Sequence, residues 1–190
     1  MDGWEQLERD CAGCVRCPLC QERHHLVFGT GDPRAEVMLV GEGPGEQEDL
    51  QGEPFVGPAG KLLDAMLAMI GLDRNRVYIA NVVKCRPPRN RDPREEEMDA
   101  CWEWLARQMA LVQPKIVVCL GRVAAKALIK EDFRITVQHG QWFDREGRRI
   151  MATYHPSALL RDVSKRPEAF TDLRTLRSEI RAVCERTETN

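Results

Sequence analysis

Four short apolar runs punctuate the chain: AEVMLVG (35–41), VYIAN (77–81), KIVVCLG (115–121) and RIMATYH (149–155). Runs that are continuously apolar and rich in Val and Ile describe strands covered on both faces, which is the pattern of a parallel sheet. Between them the periodicity becomes helical. KLLDAMLAMIGL (61–72) sets Leu62, Leu63, Met66, Leu67 and Ile70 on one face, and EEEMDACWEWLARQMALV (95–112) does the same with Met98, Cys101, Trp102, Leu105, Met109 and Val112. A last helix is predicted over 168–184, with Phe170, Leu173, Leu176 and Ile180 inward. Strands alternating with helices predict an α/β layered fold around a parallel sheet. Residues 1–25 break the pattern: an amphipathic stretch with Trp4 and Leu7 runs into Cys11, Cys14, Cys17 and Cys20. We expect this leader to fold back onto a single domain spanning 1–190.

A parallel sheet binds ligands where loops leave the carboxyl ends of its strands. The loop after the first run, residues 41–60, holds six glycines and three prolines in twenty positions, so its backbone can approach a ligand closely. Pro58 suits a first helical turn. The loop is neither a P-loop, since no Gly-Lys-Ser/Thr follows, nor a dinucleotide-binding GxGxxG. Its acids, Glu42, Glu46, Glu48 and Asp49, would repel phosphate, so a neutral base or a water is the better occupant. The second loop begins at Asn81, whose carboxamide offers acceptor and donors to a planar ligand. After the fourth run, His155 ends the strand, Pro156 opens a helix, and the amides of that turn, at Ser157 and beyond, could hold a phosphate. His24, His25 and His139 lack such placement.

Charge refines this picture. The 190 residues carry a net charge of only −2, yet KCRPPRNRDPR sets Lys84, Arg86, Arg89, Arg91 and Arg94 against one acid, a local basic patch suited to phosphate contacts. An ordinary hydrophobic content of 43% excludes intrinsic disorder. The N-terminus lacks an apolar signal region and no stretch approaches the ~18 apolar residues of a membrane span, so a cytoplasmic protein is expected, with no membrane partner. Eight cysteines is a high count, and in that reducing compartment the clustered ones read as ligands rather than staples. Cys14 and Cys17 form one pair, with Cys85 and Cys101 sixteen residues apart. Spacing alone leaves zinc and an iron–sulfur cluster both open. Cys119 reads as core packing and Cys184 as incidental.

In order along the chain, CxxCPL (14–19), GEGPGEQED (41–49), GEPFVGPAG (52–60), YIANVVKCRPPRNR (78–91) and HPSALL (155–160) resemble the family-four uracil-DNA glycosylases, the iron–sulfur branch of that superfamily. The resemblance covers some three quarters of the chain. It implies a three-layer α/β/α sandwich around a four-stranded parallel sheet, a [4Fe-4S] cluster on Cys14, Cys17, Cys85 and Cys101 with Cys11 and Cys20 as extras, and excision of uracil from single- or double-stranded DNA by a monomer. Two departures stand out. Family members commonly carry arginine at the position of Pro58, and the Lys-Arg-Arg-Ile-His insert of a subgroup that attaches covalently to the abasic product is missing, so turnover is expected.

Residue roles follow from the chemistry of that reaction. The nucleotide must leave the stack; Phe55 is the platform for the flipped base, and Asn81 accepts from N3–H and donates to O4. His155 donates to O2 as uracil departs with negative charge. The aspartate of family-one enzymes corresponds here to Gly43, so Glu48, ahead of Glu42, is expected to position water, with Glu42 and Gly43 lining the base pocket. Arg86, Arg89, Arg91 and Ser157 would contact DNA, and Leu159 or Leu160 would wedge into the vacated stack. The competing expectations are a cluster-bearing DNA-binding or replication-associated module without cleavage, and a zinc-stabilised hydrolase of small nucleosides.

Overall fold

The computed structural model describes residues 2–189. In chain order its elements are α1 (Asp2–Ala12), β1 (Thr30–Gly31), β2 (Val37–Gly41), α2 (Glu46–Gln51), α3 (Pro58–Met69), β3 (Tyr78–Asn81), α4 (Glu95–Val112), β4 (Ile116–Leu120), α5 (Arg122–Leu128), α6 (Ile135–Gln138), β5 (Trp142–Arg145), β6 (Arg148–Thr153), α7 (Pro156–Arg161) and α8 (Arg166–Val183). The sheet order is β1-β3-β2-β4-β6-β5. Its inner four strands are the parallel ones foreseen, in register Leu39 with Ile79 and Val118, and Val118 with Met151. The sheet is nevertheless six-stranded, because β1 and β5 add short antiparallel edges. Their alternation is too brief to register as strands: β1 has two residues, and β5 is half exposed.

Alternate side chains of each inner strand enter two separate cores. Met38, Val40, Ala80, Val117 and Cys119 meet α1, α4 and α5 on one face; Val37, Leu39, Ile79, Ile116 and Val118 meet α3, α7 and α8 on the other. Three layers result. Pro58 and Pro156 stand at the first helical positions of α3 and α7, where a missing amide hydrogen is harmless. α1 of the leader lies on the α4 side, with Trp4 edge-on to Phe28 and Tyr78 at centroid distances of 5.4 and 5.0 Å.

Two helical faces are rotated from the expected ones. Trp102 is 39% exposed, and Trp104 is the buried tryptophan of α4; Phe170 is 44% exposed on α8. The reason is polar burial. Glu97 and Gln108 on α4, and Asp172 on α8, are buried beside the apolar residues, so hydrophobicity alone misplaces the inner face. Among the described residues no helix is long and apolar enough to cross a membrane.

At the opposite end from the strands' carboxyl termini, Glu36 is 3% exposed and anchors the chain's end. Its carboxylate accepts from the backbone amides of Glu185, Arg186 and Thr187 at 3.0, 2.7 and 2.8 Å and pairs with Lys115 at 3.1 Å. Burial opposes its ionisation, but these donors outweigh burial and hold its pKa down to about 2. A folded pKa below the unfolded one contributes stability that is complete above the unfolded pKa and is lost as pH falls. Glu36→Ala should therefore cost roughly 2 kcal/mol at pH 7, and denaturant titrations should show the gap to wild type narrowing as pH falls from 5 towards 3.

Candidate active site

The carboxyl ends of β2, β3, β4 and β6 open into one cavity of about 460 Å³. Asn81, Phe55, His155, Glu42, Gly43 and Glu48 all line it, so the site residues expected from three separate loops are brought together. Gly41 packs against two of its lining residues. A Cβ there would stand 2.5 Å from Asn81 Oδ1 and 2.7 Å from Phe55 Cζ, so only glycine lets the ring and the carboxamide meet.

Phe55 holds a left-handed backbone, φ 55°, unusual for an aromatic residue. The conformation is imposed from both sides. Arg74 donates to the carbonyls of Pro54, at 2.9 Å, and Phe55, while Gly60 approaches the Phe55 carbonyl so closely that its Cβ would lie 1.7 Å from the oxygen. The Phe55 ring thus stands 5.6 Å from the imidazole of His155, tilted 30°. Asn81 is 2% exposed, and its Oδ1 has no hydrogen-bond partner among the described residues. An orphaned buried acceptor in a cavity awaits a ligand donor.

His155 caps α7. Its Nδ1 accepts from the Ser157 amide at 3.1 Å and lies 2.7 Å from the Ser157 hydroxyl. Burial, with Arg161 nearby, pulls its pKa down to about 4. The imidazole is then neutral at physiological pH, and because Nδ1 accepts, the proton resides on Nε2. Ser157 is correspondingly committed to His155, so its amide is not free for phosphate.

The two acids differ. Glu48 accepts from the amides of Gly45, Val56 and Gly57 at 3.1, 2.9 and 2.9 Å, which occupies both carboxylate oxygens in tying the start of α2 to the turn before α3. Glu42 makes no side-chain hydrogen bond among the described residues. Burial first, and Asp92 second, push its pKa up to about 7 against the opposing charges of Arg122 and Arg161.

The basic loop is rearranged relative to expectation. Lys84 is fully buried and contributes nothing to the surface. Arg91 is forked onto the buried Glu97 at 2.9 and 2.7 Å and, still one third exposed, lines the cavity. Arg86 and Arg89 remain, with Arg86 Nε donating to Asn90 Oδ1 and Arg89 exposed at φ 55°. The cations that line the cavity are Arg91, Arg122, Arg161 and Lys165, with Arg122 paired to Asp92 and Lys165 to Asp162 at 3.6 Å. Arg122 directly follows β4 and Gly121, so applying the strand-end rule to the third parallel strand would have found it. Leu159 is also corrected: it is 2% exposed within the α3/α8 core and cannot leave it, whereas Leu160 is 41% exposed.

Behind β3 a second, tight pocket is lined by Cys14, Cys17, Cys20, Cys85 and Cys101. Three of these sulfurs accept hydrogen bonds at 3.2 Å, Cys14 from Trp104 Nε1, Cys85 from Arg23 and Cys101 from the Lys84 amide. Burial raises the Cys85 pKa to about 11 and that of Cys101 in the same direction. His24 and His25, assigned no chemistry, join the leader to α2: His24 bonds Asp49 through its amide and Nδ1 at 2.9 and 2.6 Å, and His25 Nδ1 lies 2.9 Å from the Asp49 carbonyl. His139 is held between Asp172 and Glu168.

Residues 28–175 match the family model of the uracil DNA glycosylase superfamily. The chain is 42% identical over 184 residues to a type-4 uracil-DNA glycosylase of Archaeoglobus fulgidus, covering 93% of this chain and 92% of that one. It is 45% identical over 186 residues to the corresponding protein of Sulfurisphaera tokodaii, covering 93% and 84%. With that of Pyrobaculum aerophilum it shares 40% identity over 177 residues, 89% and 90% of the two chains. Similarity of this extent means that the chain belongs to the type-4 branch of the uracil-DNA glycosylase superfamily.

Proposed function

We propose that the protein removes uracil from DNA by hydrolysing its N-glycosidic bond, leaving an abasic site. The observation that carries this reading is the unpartnered Oδ1 of Asn81, buried beside Phe55 and His155. Uracil presents N3–H to such an acceptor and O4 to the carboxamide NH₂, whereas cytosine reverses the pattern. The base must be flipped to reach this depth; Phe55 stacks on it, and the exposed Leu160 fills the gap it leaves. Arg86 and Arg89, with the cationic mouth of Arg122, Arg161 and Lys165, hold the phosphates that position the strand.

As the bond lengthens, negative charge gathers on uracil O2 and positive charge on the sugar. His155 Nε2–H donates to O2 as a neutral imidazole, an interaction that strengthens toward the transition state. Glu42 takes over the water-positioning role first expected of Glu48, since Glu48 has both oxygens engaged with backbone amides. Ionised, it orients the water and faces the sugar cation.

The cysteine pocket fits a [4Fe-4S] cluster held by Cys14, Cys17, Cys85 and Cys101. Three of the sulfurs there accept N–H···S bonds, the kind of contact that supports cluster-ligating sulfurs. Such a cluster supplies a covalent brace between the leader, the arginine loop and α4. All eight cysteines are free, which suits the reducing cytoplasm, and since one chain completes the site we expect a monomer.

A uracil-containing oligonucleotide treated with the protein and then alkali should break at uracil alone, with the thymine control intact. Uracil-independent binding without breakage would instead support the non-cleaving module. Asn81→Ala and His155→Ala should each lower single-turnover excision by about 10²- to 10³-fold with DNA affinity largely kept; near-normal rates would refute both roles.

The raised pKa of Glu42 leaves it half protonated near neutrality. As the ionised form works, kcat/KM should climb with pH through about 7. Glu42→Gln should be slow and flat over the same range. The His155 pKa near 4 lies below that window and leaves no limb within it.

Purified protein should be brown and carry iron and sulfide. Iron-free, zinc-loaded protein of full activity would overturn the cluster assignment.

A further inference from the structure

Beneath the cavity runs a buried polar chain that the mechanism does not use. Lys84 and Gln108 are both 0% exposed. Lys84 Nζ donates to the Asn81 carbonyl at 2.9 Å and to Gln108 Oε1 at 2.6 Å. Gln108 Nε2 in turn donates to the Phe28 carbonyl at 2.9 Å and the Tyr78 hydroxyl at 3.0 Å, so its carboxamide is fixed from the far side. The same Lys84 lines the cysteine pocket, and its amide donates to Cys101 Sγ at 3.2 Å.

The charge balance is uneven. A buried ammonium is costly unless an anion offsets it, and the acceptors around Nζ are both neutral. No carboxylate pairs with it among the described residues. Lys84 lines the same pocket as Cys85 and Cys101, whose sulfurs would carry negative charge as cluster ligands. A thiolate-ligated cluster is itself negatively charged, so Lys84, the one fully buried cation among the described residues, stands beside the site where a counter-ion would be needed, and the same ammonium holds the main chain of the residue that reads the base.

We propose that Lys84 is a positioning residue: its ammonium neutralises the thiolate nest and, held there, fixes the Asn81 main chain so that the carboxamide faces uracil in one orientation. This rests on the reading of the cavity as a uracil pocket and of the nest as a cluster site. It links leader and pocket through one side chain. Asn81 lies three residues before Lys84, so the side chain doubles back along its own strand exit and clamps it.

The experiment compares wild type, Lys84→Met and Gln108→Leu, each with its cluster, on a uracil-containing oligonucleotide. Lys84→Met should lower the single-turnover excision rate about ten- to a hundredfold, the scale of one charge-assisted hydrogen bond. Inhibition by free uracil should weaken in parallel, while DNA affinity stays within about twofold. Loss of the positive charge should also shift the cluster's reduction midpoint to a more negative potential. Gln108→Leu keeps the charge and removes the acceptor that steadies it; it should lower excision and uracil affinity but leave the midpoint near wild type. Wild-type rates and uracil inhibition in Lys84→Met would overturn the proposal. If Lys84→Met fails to fold, an unaltered Gln108→Leu overturns it equally. A wild type that leaves uracil intact would instead sink the functional reading, and a colourless one the cluster reading, so each failure is distinct from that of Lys84.

Discussion

Burial of the inner four strands on both faces is the constraint on which the other features depend. Strands such as Val37–Gly41 and Ile116–Leu120 are buried at every position, so no polar side chain can be carried along their length without a partner. Chemistry is displaced to the edge where all four chains exit together. Gly41, Asn81, Gly121 and His155 meet there because the parallel register aligns Gly41 with Asn81 and Leu120 with Thr153. Close approach at that edge then dictates residue size. Gly41 admits the Asn81 carboxamide and the Phe55 ring, and Gly121, at φ 93°, would clash with His155 Cβ if it bore a side chain.

Once the groups share one edge, local partners divide their labour. Glu42 and Glu48 are two acids of one loop six residues apart, yet three backbone amides commit Glu48 to bracing, while Glu42 has only burial and neighbouring charges, which raise its pKa towards neutrality. The same desolvation that raises the acid lowers the histidine, since burial disfavours whichever form is charged. A neutral donor and an acid poised near neutral pH are therefore products of one environment.

Much of this was legible in the sequence because hydrophobic runs mark buried strands and the strand-end rule points to loops. Helix α4 was foreseen at its observed limits, and Asn81, Phe55 and His155 were placed in one cavity from three distant segments. What failed shares a cause. Lys84 was counted as surface charge, Trp102 and Phe170 as core and Leu159 as a wedge, and in each case burial is set by tertiary partners that composition does not display. Lys84 is buried because Gln108 and Asn81 are; Trp102 turns outward because Glu97 and Gln108, paired to Arg91 and Lys84, claim the inner face. A hydropathy pattern treats every charge as solvated, and this fold internalises both Lys84 and Glu97 on the α4 side of the sheet.

The net charge of −2 consequently describes neither surface nor interior. With Lys84 withdrawn, the basic loop supplies Arg91 to the cavity lining, bound to Glu97, and the cationic mouth is completed by Arg122 of α5, Arg161 of α7 and Lys165 of the turn before α8. The cations around the cavity thus come from four segments of chain rather than from one motif. That dispersal suits the geometry of base flipping, because a flipped nucleotide enters between its own flanking phosphates and the cations that hold them must ring the cavity. A single basic run, however dense, could line only one side.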